Sequence, residues 1–192
     1  MFAPYAASAR QYLARAQREL AKLDVHGIDA FADAIEESYR RDQFVFIIGN
    51  GGSASNASHF CEDLGKSTVG DFEKQKRLKA LSLTDNTSYL TAWANDTQYE
   101  RVFVEQLKNL GSRGDLLIAI SGSGNSPNVL RAVEWANAHG LRTFALTGYD
   151  GGKLKKLAQQ SLHVKLADMG MVESIHLLLF QYVLARCHRR FL

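Results

Sequence analysis

The spacing of apolar positions changes character along the chain. Near the start, Leu13, Ala16, Leu20 and Leu23 recur at helical spacing, and from about Gly27 to Arg41 the residues Ile28, Phe31, Ala32, Ile35 and Tyr39 fall on one side. Two N-terminal helices are predicted. The pattern then becomes continuous: Phe44-Val45-Phe46-Ile47-Ile48 runs into Gly49-Asn50-Gly51-Gly52, as a buried strand runs into a turn. Runs of the same kind are Leu78 to Leu83, Leu116 to Ile120, Thr143 to Leu146 and Leu162 to Leu166. Helical stretches separate them: Ser53 to Lys66, Tyr89 to Leu110 with a break at Asn95-Asp96, Pro127 to His139, Lys153 to Ala158, and Val172 to Arg190. Strands apolar on both faces that alternate with helices predict an α/β fold, a parallel sheet wound right-handed with helices on each side. Ligands of such sheets sit beyond the carboxyl ends of the strands, which directs attention to the loops after Ile48, Leu83, Ile120 and Leu146.

Composition narrows the class. A chain of 192 residues, 46% hydrophobic, is one domain with a core that needs neither disulfide nor structural metal. Cys61 and Cys187 form no framework and no CxxC pair, which excludes disulfide scaffolds and zinc fingers and fits a reducing cytoplasm. The net charge of +3 comes from 23 basic against 20 acidic residues, a near balance that suits a small anionic substrate. The clusters Lys74, Lys76, Arg77, Lys79 and Lys153, Lys155, Lys156 lack interleaved aromatics, so they read as solvated surface and no direct nucleic-acid binding is expected. No apolar run approaches a membrane span, since Leu177 to Phe180 is bracketed by His176 and Gln181. Met1 to Arg18 carries Arg10, Arg15 and Arg18 without an acid, as a transit peptide would, but the stripe running on to Leu23 points to a structural helix.

Two loops carry candidate chemistry. Gly49-Asn50-Gly51-Gly52-Ser53-Ala54-Ser55 joins a strand to a helix, where glycines free backbone N–H groups for an anion. It matches neither GxGxxG nor GxxxxGK[ST], so no nucleotide cofactor is expected. Ser121-Gly122-Ser123-Gly124-Asn125-Ser126-Pro127 also joins a strand to a helix, with Pro127 at the first helical position and Ser126 as the cap. A cap explains one serine. Hydroxyls at Ser121, Ser123 and Ser126 with glycines between them make a phosphomonoester cradle.

These two loops on this alternation resemble the SIS (sugar isomerase) phosphosugar-binding family. Gly49 to Ser53, then His59, Asn95-Asp96, Ser121 to Ser126, and Leu146-Thr147-Gly148-Tyr149-Asp150-Gly151-Gly152-Lys153 resemble its sedoheptulose 7-phosphate isomerase branch over essentially the whole chain. The resemblance implies a flavodoxin-like three-layer α/β/α sandwich with a five-stranded parallel sheet behind two N-terminal helices. It implies a single domain over 1–192, in which 1–42 is a helical pair used in oligomerisation and 43–192 the phosphosugar-binding core. A cytoplasmic homotetramer with active sites between subunits is implied, acting on a sugar phosphate by aldose–ketose isomerisation. Ser53, Ser121, Ser123 and Ser126 would hold the phosphosugar, with Gly51, Gly52, Gly122 and Asn125 completing the cradle and Asn50 and Asp96 approaching the sugar.

One part of the pattern is altered. The family places His and, four residues later, Glu on the helix after the glycine loop, and Gln and, about eight later, His on the last helix. These four can bind zinc in some members, and the Glu and second His act as acid and base. The matching positions here are His59, Asp63, Glu173 and Gln181. Residues four or eight apart share a helix face, so two facing helices can gather the set across a subunit boundary. Imidazole with two carboxylates suits Zn or another divalent metal, with Gln181 a poor fourth ligand. Asp63 is the first candidate proton carrier by position and Glu173 the second by its unusual substitution; Gln181 stands where the family has a base. His176 reads as a packed core histidine, and Cys61, His26, His139, His163 and His188 as packing or surface. The alternative reading, favoured by Gln181, is a non-catalytic phosphosugar-binding regulator or scaffold of the DiaA type.

Overall fold

The computed structural model describes residues 8–192, so the part of the first helical stretch before Ser8 lies outside the described residues. Helix α1 (Ala9–Leu20) starts at Ser8, whose hydroxyl accepts the Gln11 N–H, and α2 (Val25–Arg40) starts at Asp24, whose carboxylate accepts the His26 N–H. There follow β1 (Phe44–Ile48), α3 (Gly52–Lys66), β2 (Lys79–Ser82), α4 (Thr87–Asp96), a 3₁₀ turn (Tyr99–Arg101) and α5 (Val104–Leu110). The chain continues with β3 (Leu116–Ser121), α6 (Pro127–Ala138), β4 (Arg142–Thr147), the short α7 (Leu154–Leu157), β5 (Gln160–His163) and α8 (Met169–Phe191).

The strands form one sheet, all pairs parallel, in the order β2-β1-β3-β4-β5. This is the flavodoxin-like order. Successive side chains of a strand point to opposite faces. Val45, Ile47, Ile118, Ile120, Phe144 and Leu146 therefore pack on α2, α3 and α8, through Phe31, Phe60 and Phe180. Phe46, Ile48, Leu117 and Ala119 pack on the other layer, through Phe103, Leu107 and Val133 of α5, its approach and α6. Both faces of the central strands are covered, which is why their sequences show no polar alternation. No helix of the described residues is long and apolar enough to cross a membrane.

The N-terminal pair divides. Helix α2 buries Phe31, Ala32 and Ile35 and belongs to the three-layer core, whereas α1 has no fully buried residue. Ala16, Leu20 and Leu23 lean on the core, but Leu13 is 67% exposed, so the stripe is only partly engaged within one chain. Arg15 Nη1 ties α1 to Asp168 Oδ2 at 2.7 Å. Several boundaries move from the sequence expectation, two of them near the C-terminal end of the chain. β5 begins at Gln160, because β4 pairs with it from Phe144↔Gln160 to Thr147↔His163, and beyond Val164 the backbone turns away, with Leu166 N–H donating to Val164 O. α8 begins at Met169, because Asp168 accepts the Met171 N–H and caps it.

Candidate active site

The connections from β1 and β3 leave the sheet toward opposite sides, so the loops after these neighbouring strands splay and open a crevice. A cavity of about 320 Å³ fills it, lined by residues 50–53 of the glycine loop, residues 120–123 and Ser126 of the serine loop, and Met169 and Glu173 of α8. A larger cavity, about 620 Å³, opens at the amino ends of the strands around Arg142. That guanidinium is already engaged by Glu37, Ser38 and the Ala34 and Gly114 carbonyls, so the candidate chemistry gathers in the smaller cavity.

In the serine loop, Ser121 Oγ accepts the Gly124 N–H at 3.2 Å and lies 3.4 Å from Ser126 Oγ. Ser123 Oγ accepts the Asn125 N–H at 3.3 Å. Ser126 occupies the cap position of α6, but its hydroxyl makes no capping bond; its carbonyl takes the Val129 and Leu130 N–H groups while its hydroxyl turns to Ser121. The expected cap is thus a backbone one, and the hydroxyl remains on the cavity wall. Asn125 also differs from its expected part in the cradle. Its Nδ2 donates to Ser123 O at 2.9 Å and its Oδ1 accepts the Lys153 N–H at 3.2 Å, so its side chain braces the loop against the one after β4.

The glycine loop places one glycine in the left-handed region and the next against a neighbouring carboxylate. Gly51 sits at φ +56°, and a Cβ on Gly52 would overlap the Glu173 carboxylate. Ser53 is buried on the cavity wall. Asn50 is held at both ends of its amide: its Nδ2 donates to Asn128 Oδ1, and its Oδ1 accepts from Asn128 Nδ2 and from the Tyr99 hydroxyl, each at 2.9 Å.

Glu173 therefore stands over the first turn of α3. Its backbone carbonyl accepts Asn56 Nδ2 at 3.0 Å, while its carboxylate has no hydrogen bond or ion pair among the described residues. Burial pushes its pKa above the ordinary carboxylate range.

The other altered positions meet elsewhere. Gln181 Nε2 donates to Asp63 Oδ2 at 2.9 Å, and His59 Nε2 lies 3.4 Å from the same oxygen. Glu62 joins them, with ligand atoms of His59, Glu62 and Asp63 all within 4.8 Å of one another. Glu173 is not in this group. It sits at Gly52, and the three turns of α3 from Gly52 to Asp63 span ~16 Å. One chain thus brings together His59, Asp63 and Gln181, and separately Glu173 with the serine loop. Asp96 is exposed at the end of α4, accepts Asn95 Nδ2 at 2.9 Å and does not line the cavity. His176 is wholly buried with neither ring nitrogen hydrogen-bonded, and burial pushes its pKa down to about 4.

Sequence reasoning passes over Asn128, Tyr99, Met169 and Glu62. Only Asn128 leaves a trace in the sequence, a second amide directly after the serine loop. Its partner is 78 residues away, and no local pattern announces that pairing.

A parallel sheet with a glycine loop and a serine loop at its switch point defines the class. Residues 4–148 match the SIS domain, and the chain belongs to that family. Among its relatives, a phosphoheptose isomerase of Helicobacter pylori (strain P12) is 41% identical over 174 residues, covering 90% of this chain and 84% of its own length. A probable phosphoheptose isomerase of Thermoplasma acidophilum is 35% identical over 184 residues, 95% of this chain and 99% of its own. The solved phosphoheptose isomerase GmhA of Neisseria gonorrhoeae superposes with a TM-score of 0.82 at 33% identity, over 91% of each chain.

Proposed function

We propose that this phosphosugar isomerase interconverts the ketose and aldose forms of a seven-carbon sugar phosphate through a cis-enediol, with Glu173 as the proton carrier. The observation that carries the reading is the unpaired Glu173 carboxylate in the same cavity as Ser121, Ser123 and Ser126. Asp63, first by sequence position, is held by Gln181 outside that cavity.

The phosphate docks on the serine hydroxyls and the free amides of the loop, and this remote binding energy positions C1 and C2 of the sugar. Glu173 takes a proton from C1 of the ketose, the electron pair forms the C1–C2 double bond of the enediol, and the carbonyl oxygen at C2 accepts the charge. Return of the proton to C2, with transfer of the O1 hydroxyl proton to O2, gives the aldose. A carboxyl group whose pKa is raised toward the working pH is a better donor and acceptor for both half-steps than an ordinary one.

His59, Glu62 and Asp63 offer one imidazole and two carboxylates within reach of a common point, a donor set that suits Zn or another divalent ion. They would hold such an ion, which would supply positive charge for enediolate oxygens when bound. Gln181 turns its amide nitrogen to Asp63, so it serves as an orienting donor rather than a ligand. This group lies on an exposed face, and α1 has apolar side chains uncovered. A homotetramer would cover both, bring the group and Asp96 of one chain toward the cavity of another, and work in the cytoplasm.

The test is incubation with sedoheptulose 7-phosphate and shorter phosphoketoses, followed by NMR for the aldose phosphate. Conversion of the heptulose phosphate is expected. Failure to convert any phosphoketose overturns the reading and leaves the non-catalytic, DiaA-type regulator, which the replacement of the family's second histidine by Gln181 favours.

A further inference from the structure

The amide of Asn50 has no free acceptor to offer a sugar: both lone pairs of its Oδ1 are used, one by Asn128 Nδ2 and one by the Tyr99 hydroxyl. Asn128, 2% exposed in the first turn of α6, returns the bond to Asn50 Nδ2 through an Oδ1 that also accepts the Val129 N–H at 3.0 Å. The pair is reciprocal and partly buried, with Asn128 the enclosed member, so losing Asn50 would leave the Asn128 amide without partners in a site closed to water. Its place in the fold matters more than its strength. Asn128 stands two residues after Ser126, which faces the phosphate cradle, and Asn50 two residues before Gly52, against which the Glu173 carboxylate rests.

We infer that Asn128 is a positioning residue of the isomerase: its paired amide clamps the glycine loop to the start of α6. The clamp fixes the distance from the bound phosphate to the Glu173 carboxylate. Tyr99 closes the clamp from outside. A substrate whose phosphate is seated on the serines then presents C1 to the carboxylate only at the spacing this clamp sets, which makes it a ruler for sugar length as well as for rate. A misplacement of 1 Å between bound substrate and reacting group costs about a hundredfold in rate.

This inference rests on the isomerase reading, and the experiment separates the two. Wild type, Asn128→Ala, Asn128→Asp and Tyr99→Phe are assayed for kcat and KM with sedoheptulose 7-phosphate, for inhibition by inorganic phosphate, and for thermal unfolding. Asn128→Asp keeps the size and the acceptor but faces Asn50 Oδ1 with a carboxylate; Tyr99→Phe deletes one hydrogen bond at an exposed residue and secures a folded variant. Expected is a fall in kcat of about thirtyfold or more for both Asn128 variants and about threefold for Tyr99→Phe, with phosphate inhibition unchanged within threefold. A kcat unchanged within threefold in a folded Asn128 variant overturns the inference. So does a parallel loss of phosphate affinity, which would mark general collapse of the serine loop. If wild type turns nothing over, the isomerase reading falls and the clamp is judged by binding. It stands if Asn128→Ala loses the extra affinity of the heptulose phosphate over inorganic phosphate, and fails if that gap persists.

Discussion

Two regions of α3 and α8 carry the residues that set this chain apart from its family's pattern, and they are built on different principles. At the amino ends of the two helices, Glu173 shares a crevice with the small neutral hydroxyls and glycines of the serine and glycine loops. Two to three turns further on, His59, Glu62, Asp63 and Gln181 stand on an open face, joined mainly to one another. The first region has what recognition and proton transfer need: neutral donors for an anion and a carboxylate whose pKa is raised by burial. The second has ligands and charge but no walls. The contrast teaches that one pair of helices can carry an enclosed carboxylate at one end and an open ligand cluster further along. Asp63 is hydrogen-bonded to the Gln181 amide of α8, while the Glu173 carboxylate stands two turns earlier on α8, beside the serine loop.

The strongest way to break this contrast is to remove the cradle. Replacing Ser121, Ser123 and Ser126 together by alanine should weaken binding of the heptulose phosphate about a thousandfold or more, read by calorimetry, because each hydrogen bond to a charged phosphate contributes roughly 1.5–3 kcal/mol. A loss of less than tenfold would mean that the phosphate lies elsewhere.

Next in size is an effect on the seam between the regions. His176 lies on α8 between Glu173 and Gln181, facing the Thr147 end of the sheet and His163, and is neutral when folded. The unfolded chain binds a proton near pH 6.5, the folded chain only near 4, so the contribution of the neutral histidine is complete above 6.5 and declines as pH falls through that window. It is worth on the order of a few kcal/mol. Urea titrations at pH 7 and pH 4.5 should show His176→Met losing less stability on acidification than wild type. Equal losses would show that the carboxylates alone set the acid limb.

Ser126→Ala sharpens the first region by itself. It should cost the affinity of one charged hydrogen bond, roughly tenfold or more, and leave the melting temperature in place, since the hydroxyl makes no capping bond. A fall of several degrees without ligand would return the side chain to a capping role.

The smallest effect is expected in the second region. His59→Ala should abolish binding of zinc, measured by elemental analysis at about one ion per chain in the parent, while phosphate affinity changes less than threefold. Loss of both together would merge the regions into one site.

Much of this was legible in the sequence, and for a physical reason. Strands buried on both faces are uninterrupted apolar runs, so β1 and β3 can be read almost to the residue, and the loops that follow them are the ones that line the cavity. β5 was shifted by two residues because Gln160 and Ser161 are polar at a sheet edge, where pairing rather than burial decides the strand. Ser126 does occupy the cap position that a serine before Pro-Asn predicts, but only the nearness of Ser121 shows where its hydroxyl goes. The Asn50–Asn128 pair and the seat of Glu173 over Gly52 depend on how α3, α6 and α8 meet, and no local spacing encodes that meeting.

The proposed mechanism stands or falls on Glu173 as the proton carrier. Incubation of wild type, Glu173→Gln and Asp63→Asn with sedoheptulose 7-phosphate in deuterated water, with deuterium at C1 followed by NMR, tests it most directly. The account predicts exchange by wild type, a loss of about a hundredfold or more in Glu173→Gln, and a loss within tenfold in Asp63→Asn. Exchange that survives in Glu173→Gln and vanishes in Asp63→Asn would contradict it and assign the proton to Asp63.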